Sequence, residues 1–275
     1  MKVYAVYRCL YGEDFVKESI NSITDYVDQI FVFWTNKAWG DINSCVYKGL
    51  TVQFPEKFDS VISRIKELNN PKITLIEQTR EMNPRSVPWN LYTTLINNHI
   101  LPNYDKPDII IIPEVDQVFR DSEIRKAIDE FTESGLTVAK TRQIEMWRSY
   151  KYRIQERRNR VGVVFWNMRD LIELPTTKGN GEIDNTPELS YYVHNFGFAV
   201  SLKVMYWKHM TALGFSSKIS DSIPNEQWLD KWINWTLEKN NENLEISLGH
   251  EHTISLAYHY SYELLPEEIK KKYGL

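Results

Sequence analysis

Cysteine is almost missing from this chain: Cys9 and Cys45 are the only two in 275 residues. Two thiols so far apart make neither a disulfide framework nor a thiolate metal site, so a reducing compartment, the cytoplasm, is the expected location. A long apolar run is missing too. No stretch of about 18 apolar residues occurs, and the N-terminal MKVYAVYRCLYGEDF has a lone Lys2 without an apolar core or a small-residue cleavage pattern. Neither a membrane span nor a secretion signal is expected. Positive charge is not in excess, since 33 Lys and Arg face 37 Asp and Glu for a formal net charge of -4. That balance argues against a surface that binds polyanions throughout, though not against a local basic patch. No GxxxxGK is present to suggest a nucleoside triphosphatase. Internal repeats, low-complexity tracts and a separating linker are absent as well, so residues 1–275 are expected to form a single domain.

What is present is a core and an alternation. With 42% hydrophobic and 25% charged residues the chain can bury a sizeable interior. KVYAVYRCL reads as a strand, GEDFVKESINSITDYVDQ as a helix through Val16, Ile20, Ile23 and Val27, and IFVFW as a second strand, together the size of a parallel βαβ unit. The alternation continues through a helix carrying Phe58, Ile62, Ile65 and Leu68, a strand at KITLIEQ, and a helix at SVPWNLYTTLINNHIL. It then reaches PDIIIIPEVDQVF, where four consecutive isoleucines read as a strand buried on both faces. The expected fold is α/β, a mostly parallel central sheet with helices on both faces. After residue 120 the pattern loosens into a helix at DSEIRKAIDEF, strands at GLTVAKTR and RVGVVFWNM, and a polar, aromatic segment between them from Gln143 to Asn159. A Gly- and Pro-containing loop at 170–190, the strand-like YYVHNFGFAV, and a helical C-terminal embellishment from Leu202 and from Asn225 follow.

The chemistry gathers where the isoleucines stop. Ligands of an open parallel sheet bind at the carboxyl ends of its strands, which is where Glu114 and Asp116 fall. Two carboxylates at i and i+2 of an extended segment point the same way and can share one hard divalent ion; a solvated strand end is the bland alternative. TRQIEMWRSYKYRIQERRNR sets seven basic residues, among them Arg148, Lys151, Arg153, Arg157 and Arg158, against Glu145 and Glu156, interleaved with Trp147, Tyr150 and Tyr152. Such a segment suits a phosphate backbone with stacked bases, a wall beside a diphosphate, or a solvated face. In NEQWLDKWINWTLEKN, Trp228, Trp232 and Trp235 share a helix face, which reads as core packing, with peripheral membrane contact as the other reading. His250, His252 and His259 have no cysteine partners or shared helix to make a zinc site.

Taken in order, VYAVYRCLYGEDFVKESINSITDYVDQIFVFW and DIIIIPEVDQVF resemble the nucleotide-sugar-dependent glycosyltransferases of the GT-A fold, in the family-2-like group, over about the first 120 residues. PEVDQVF stands where that family has Asp-x-Asp, with Glu114 replacing the first Asp. The resemblance implies residues 1–120 as the nucleotide-sugar-binding half and 121–275 as the acceptor side. It implies Mn2+ or Mg2+ held by Glu114, Asp116 and His194, and a donor, UDP-sugar before GDP-sugar, met by Tyr7, Arg8, Trp34, Asn90, Glu114 and Asp116. Two departures stand out: Trp34 replaces the usual acidic end of the second strand, and Trp89-Asn90 replaces an Arg-Asn pair. Inverting transfer would need a carboxylate base near the acceptor hydroxyl, for which Asp184 is the candidate beside Glu182 and Glu188. The acceptor is expected to be a saccharide or lipid-linked saccharide, met by Arg148, Lys151, Arg153, Arg157 and Arg158. The alternatives are a hydroxymethylated base in DNA, flipped out of its stack, and, in another class, a nucleic-acid-binding module without catalysis.

Overall fold

The structure, a computed structural model, describes residues 1–9, 14–35, 37, 44–47, 50–53, 59–79, 88–120, 122–154, 162–176, 183, 185–205, 225–239 and 257–275. Its centre is β1 (Val3–Cys9), flanked in parallel by β2 (Gln29–Trp34) and by β6 (Ile109–Ile112), with β5 (Ile73–Glu77) parallel to β2 at the edge. A small antiparallel hairpin, β3 (Ser44–Tyr47) with β4 (Leu50–Gln53), stands apart from this sheet. The isoleucines of β6 explain themselves by alternation. Ile109 and Ile111 enter one apolar cluster, Ile110 and Ile112 the other, and all are buried. Burying an isoleucine side chain stabilises by about 1.5–3 kcal/mol, so this strand anchors both layers at once.

Helices cover both faces. On one, α1 (Val16–Thr24), α2 (Asp59–Glu67) and α4 (Glu123–Ser134) contribute Val16, Ile20, Ile65, Ile128 and Phe131. On the other, α3 (Pro88–Leu95) runs into a π-helical turn at Ile96–Ile100 and supplies Tyr92, Leu95, Ile96 and Ile100. Helix α4 begins with Glu123 in its first turn and stops at Gly135, whose φ of 66° suits a residue without Cβ.

Beyond β6 the sheet changes direction. β10 (Val164–Asn167) is antiparallel to both β6 and β8 (Val138–Trp147), and β9 (Ser149–Ile154) and β12 (Ala257–His259) continue antiparallel to the far edge. β11 (Glu188–Phe198) lies parallel to β8 and pairs antiparallel with β7 (Gln117–Phe119), the short strand that follows the acidic residues. The polar segment from Gln143, set apart in the sequence from the strands around it, is therefore, as far as Ile154, the second half of β8 and the hairpin into β9; residues 155–159 lie outside the described residues. The apex of the hairpin is Arg148, at φ 61°. Helix α5 (Asn225–Ile233) ends before Trp235, and α6 (Glu267–Tyr273) follows at the C-terminal end. No helix among the described residues is long and apolar enough to cross a membrane.

Candidate functional site

Parallel pairing puts the carboxyl ends of β1, β2, β5 and β6 on one edge of the sheet, and with them Cys9, Trp34, Glu77 and Ile112. Leaving that edge, Pro113 cannot donate to the ladder and the chain turns. Gln117 N–H donates to Glu114 O at 3.0 Å, and Glu114 N–H donates to the Gln117 side-chain Oε1 at 2.9 Å. The two carboxylates therefore sit on a closed turn, where an extended segment was expected. The reason is local: the Gln117 amide occupies the backbone donor that an extended chain would leave to a neighbouring strand. Glu114 is exposed as a result, while Asp116 is 5% exposed.

Neighbouring elements fix this turn. From β11, Phe196 N–H donates to Asp116 O at 2.8 Å. From β8, Gln143 Oε1 accepts Gln117 Nε2 at 3.4 Å and Asn195 Nδ2 at 3.2 Å. From α1, Ser19 Oγ lies 2.6 Å from Gln117 O and 3.1 Å from Glu114 O. A further face comes from β1 and α3. The Arg8 guanidinium carbon is 5.4 Å from the centre of the Tyr92 ring, and Arg8 Nη1 is buried with no hydrogen-bond partner among the described residues. Burial pushes the Tyr92 phenol well above its ordinary value; the Arg8 charge opposes this, and Glu114 and Asp116 add to it. The charges of Arg8, Glu114 and Asp116 thus all reach the buried Tyr92 ring. A buried guanidinium nitrogen left over from internal bonding is suited to an anionic oxygen.

The other expected residues are placed as follows. Asn90 lies half-buried in α3, two positions before Tyr92, and Trp34 is half-buried at the end of β2, packed on the core. Tyr7 is wholly buried beneath the turn, its hydroxyl 3.2 Å from Ser19 Oγ. His194 is not gathered with the carboxylates: among the described residues no three His, Cys, Asp or Glu side chains come together as a metal group. Its Nε2 shares a 2.8 Å hydrogen bond with the Tyr260 hydroxyl. Burial first, and the Arg120 charge second, lower its pKa to about 3, with the Leu264 backbone opposing. Of the basic segment, Arg148 is half-buried, its guanidinium 4.0 Å from the centre of a Trp232 ring and hydrogen-bonded to Ile233 O at 3.2 Å. Arg153 lies 5.9 Å from the Tyr260 ring and Lys151 5.8 Å from Tyr150. Asp184, Arg157 and Arg158 lie outside the described residues, as do Glu182, His250 and His252. Glu188 instead meets Arg142 Nε at 3.0 Å. Trp232 is fully buried and Trp235, beyond the end of α5, is half-buried against the core, while the side chain of Trp228 lies outside the described residues.

Sequence reasoning missed Tyr92, Ser19, Gln117, Gln143 and Asn195. Gln117 directly follows the acidic pair and was the one with a local signal; the rest come from distant elements and have no spacing in common.

No protein-family profile matches the chain, and no curated protein sequence matches it. Among solved structures, the chain is similar to S. aureus TarS 1-349 at 11% identity, covering 90% of this chain and 76% of that one, with a TM-score of 0.44. It is similar to glucosyl-3-phosphoglycerate synthase from Mycobacterium tuberculosis in complex with phosphoglyceric acid at 13% identity over 70% of each chain, with a TM-score of 0.43. Against that synthase in complex with Mn2+, UDP and phosphoglyceric acid the identity is 12%, the match covers 52% of this chain and 43% of that one, and the TM-score is 0.32.

Proposed function

We propose that this protein is a metal-dependent glycosyltransferase of GT-A type, moving a sugar from a nucleotide-diphosphate donor to an acceptor hydroxyl. The observation that carries the reading is the pinned turn of Glu114 and Asp116 at the carboxyl edge of the parallel strands, with the Arg8 guanidinium against the Tyr92 ring that both carboxylates influence. Two carboxylates without a third His, Cys, Asp or Glu among the described residues are a poor zinc set but suit Mg2+ or Mn2+, which keep waters and take donor phosphates as remaining ligands. Glu114 and Asp116 would hold that ion, which when bound neutralises charge growing on the departing diphosphate. Arg8 would take a phosphate oxygen through its buried Nη1, and Asn90 and Trp34 would border the same edge. His194, neutral and bonded to Tyr260, is a core histidine in this account.

A saccharide is the favoured acceptor. Arg148 and Arg153 lie over aromatic rings of the protein itself, so part of the basic and aromatic interleaving that suggested DNA is spent on folding. UDP is favoured over GDP as the donor nucleotide, and Asp184 remains the candidate base. The test is release of nucleoside diphosphate from UDP- and GDP-sugars with Mn2+ and a panel of saccharide acceptors. Release should require the metal and fall by about a hundredfold or more in Asp116→Ala. Release unchanged by that substitution would contradict the assignment.

A further inference from the structure

Helix α1 buries two hydroxyls on its core face, Ser19 and Ser22, among Val16, Ile20 and Ile23. A buried hydroxyl costs stability unless it is hydrogen-bonded, so an apolar helix face with two of them needs a use for both. Ser22 Oγ donates to Ser19 O at 2.8 Å and accepts Phe119 N–H at 3.2 Å. Ser19 Oγ has one proton and faces Gln117 O at 2.6 Å and Glu114 O at 3.1 Å. With that proton directed at the two carbonyls, the Tyr7 hydroxyl, 3.2 Å away, must be the donor in its bond to Ser19 Oγ. The serines thus serve β7 as a neighbouring strand would, taking Gln117 O and Phe119 N–H, and Ser19 alone reaches back to the residue that carries the first carboxylate.

We infer that Ser19 is the positioning residue of the acidic turn: through the relay Tyr7 to Ser19 to Glu114 and Gln117 it holds the two carboxylates ready for a divalent ion and a diphosphate. The ligand side of this inference rests on the glycosyltransferase reading; the positioning side does not. Ser19 touches no reacting atom and acts by fixing backbone, so its removal loosens the turn without removing a charge.

Two readouts on Ser19→Ala, Ser19→Thr and the unchanged protein test it. Amide exchange of residues 114–117 should run about tenfold faster in Ser19→Ala, with α4 and β2 amides unchanged, and return toward the original rate in Ser19→Thr. Mn2+-dependent UDP affinity, read by calorimetry, should fall about tenfold in Ser19→Ala and recover with the hydroxyl. Unaltered exchange at 114–117 in Ser19→Ala overturns the inference. So does a Ser19→Thr protein that folds yet restores neither readout. Should the added methyl keep Ser19→Thr from folding, Tyr7→Phe replaces it: removing only the donor to Ser19 should speed the same amides about threefold, and no change there again overturns the inference. A failure of the unchanged protein to bind Mn2+ and UDP would remove the functional reading, leaving the positioning role to be decided by exchange alone.

Discussion

His194 occupies a place where its imidazole is paid for only as a neutral ring. Fully buried and repelled by Arg120, it has a folded-state pKa of about 3, against about 6.5 for an unfolded histidine. A depressed pKa means that stability is whole above the unfolded value and is lost as pH falls from about 6.5 toward about 3, because only the unfolded chain takes the proton there. Between pH 7 and pH 4.5 the protein should therefore lose about 2 kcal/mol more unfolding free energy than His194→Gln, as measured by urea denaturation at the two pH values. Equal losses would show that the ring is protonated in the folded state. Arg8 makes the complementary case, a charged side chain with bonding capacity left over at the candidate site. Arg8→Ala should leave the fold intact and weaken Mn2+-dependent nucleotide binding by about tenfold, read by calorimetry, with Arg8→Lys recovering only part because a single ammonium replaces a planar fork.

At the scale of elements, β6 was legible in the sequence and β8 only in part, for one physical reason. A strand buried between two apolar layers must be apolar at every position, so Ile109 to Ile112 announce themselves. β8 buries Lys140, Thr141, Gln143 and Glu145, and the first three meet partners from other elements that no local pattern reveals. The acidic pair was legible because it follows β6 directly. Ser19, whose hydroxyl meets the Glu114 and Gln117 carbonyls, was not, since Ser19 and Ser22 look in sequence like the polar side of an amphipathic helix. The β8–β10 contact also depends on a missing side chain. A Cβ on Gly162 would lie 2.4 Å from Thr141 Oγ1, 2.7 Å from Thr141 O and 2.8 Å from Arg142 O, so backbone would have to move. Gly162→Ala should cost about 2–3 kcal/mol in urea unfolding. A cost near zero would mean that this pairing is looser than described.

Across the whole molecule, the last residues tie the sheet's far half to the helix that carries the serines. Leu265 and Ile269 are buried in the same cluster as Val16 and Ile20 of α1. Lys272 reaches Glu18 at 2.9 Å as well as Asp14 O, and the Tyr273 ring lies 4.4 Å from that of Tyr150 on β9. Ile269→Ala should therefore destabilise the protein by about 2–5 kcal/mol in urea unfolding, far more than an exposed terminal helix would. Helix α1 and the C-terminus thus meet through contacts that no sequence spacing announces. What the edge of this sheet binds is decided by calorimetric titration of UDP into the protein and into Asp116→Ala, with and without Mn2+. Binding should need the metal and disappear in the variant. Binding that ignores both the metal and Asp116 would contradict the glycosyltransferase reading.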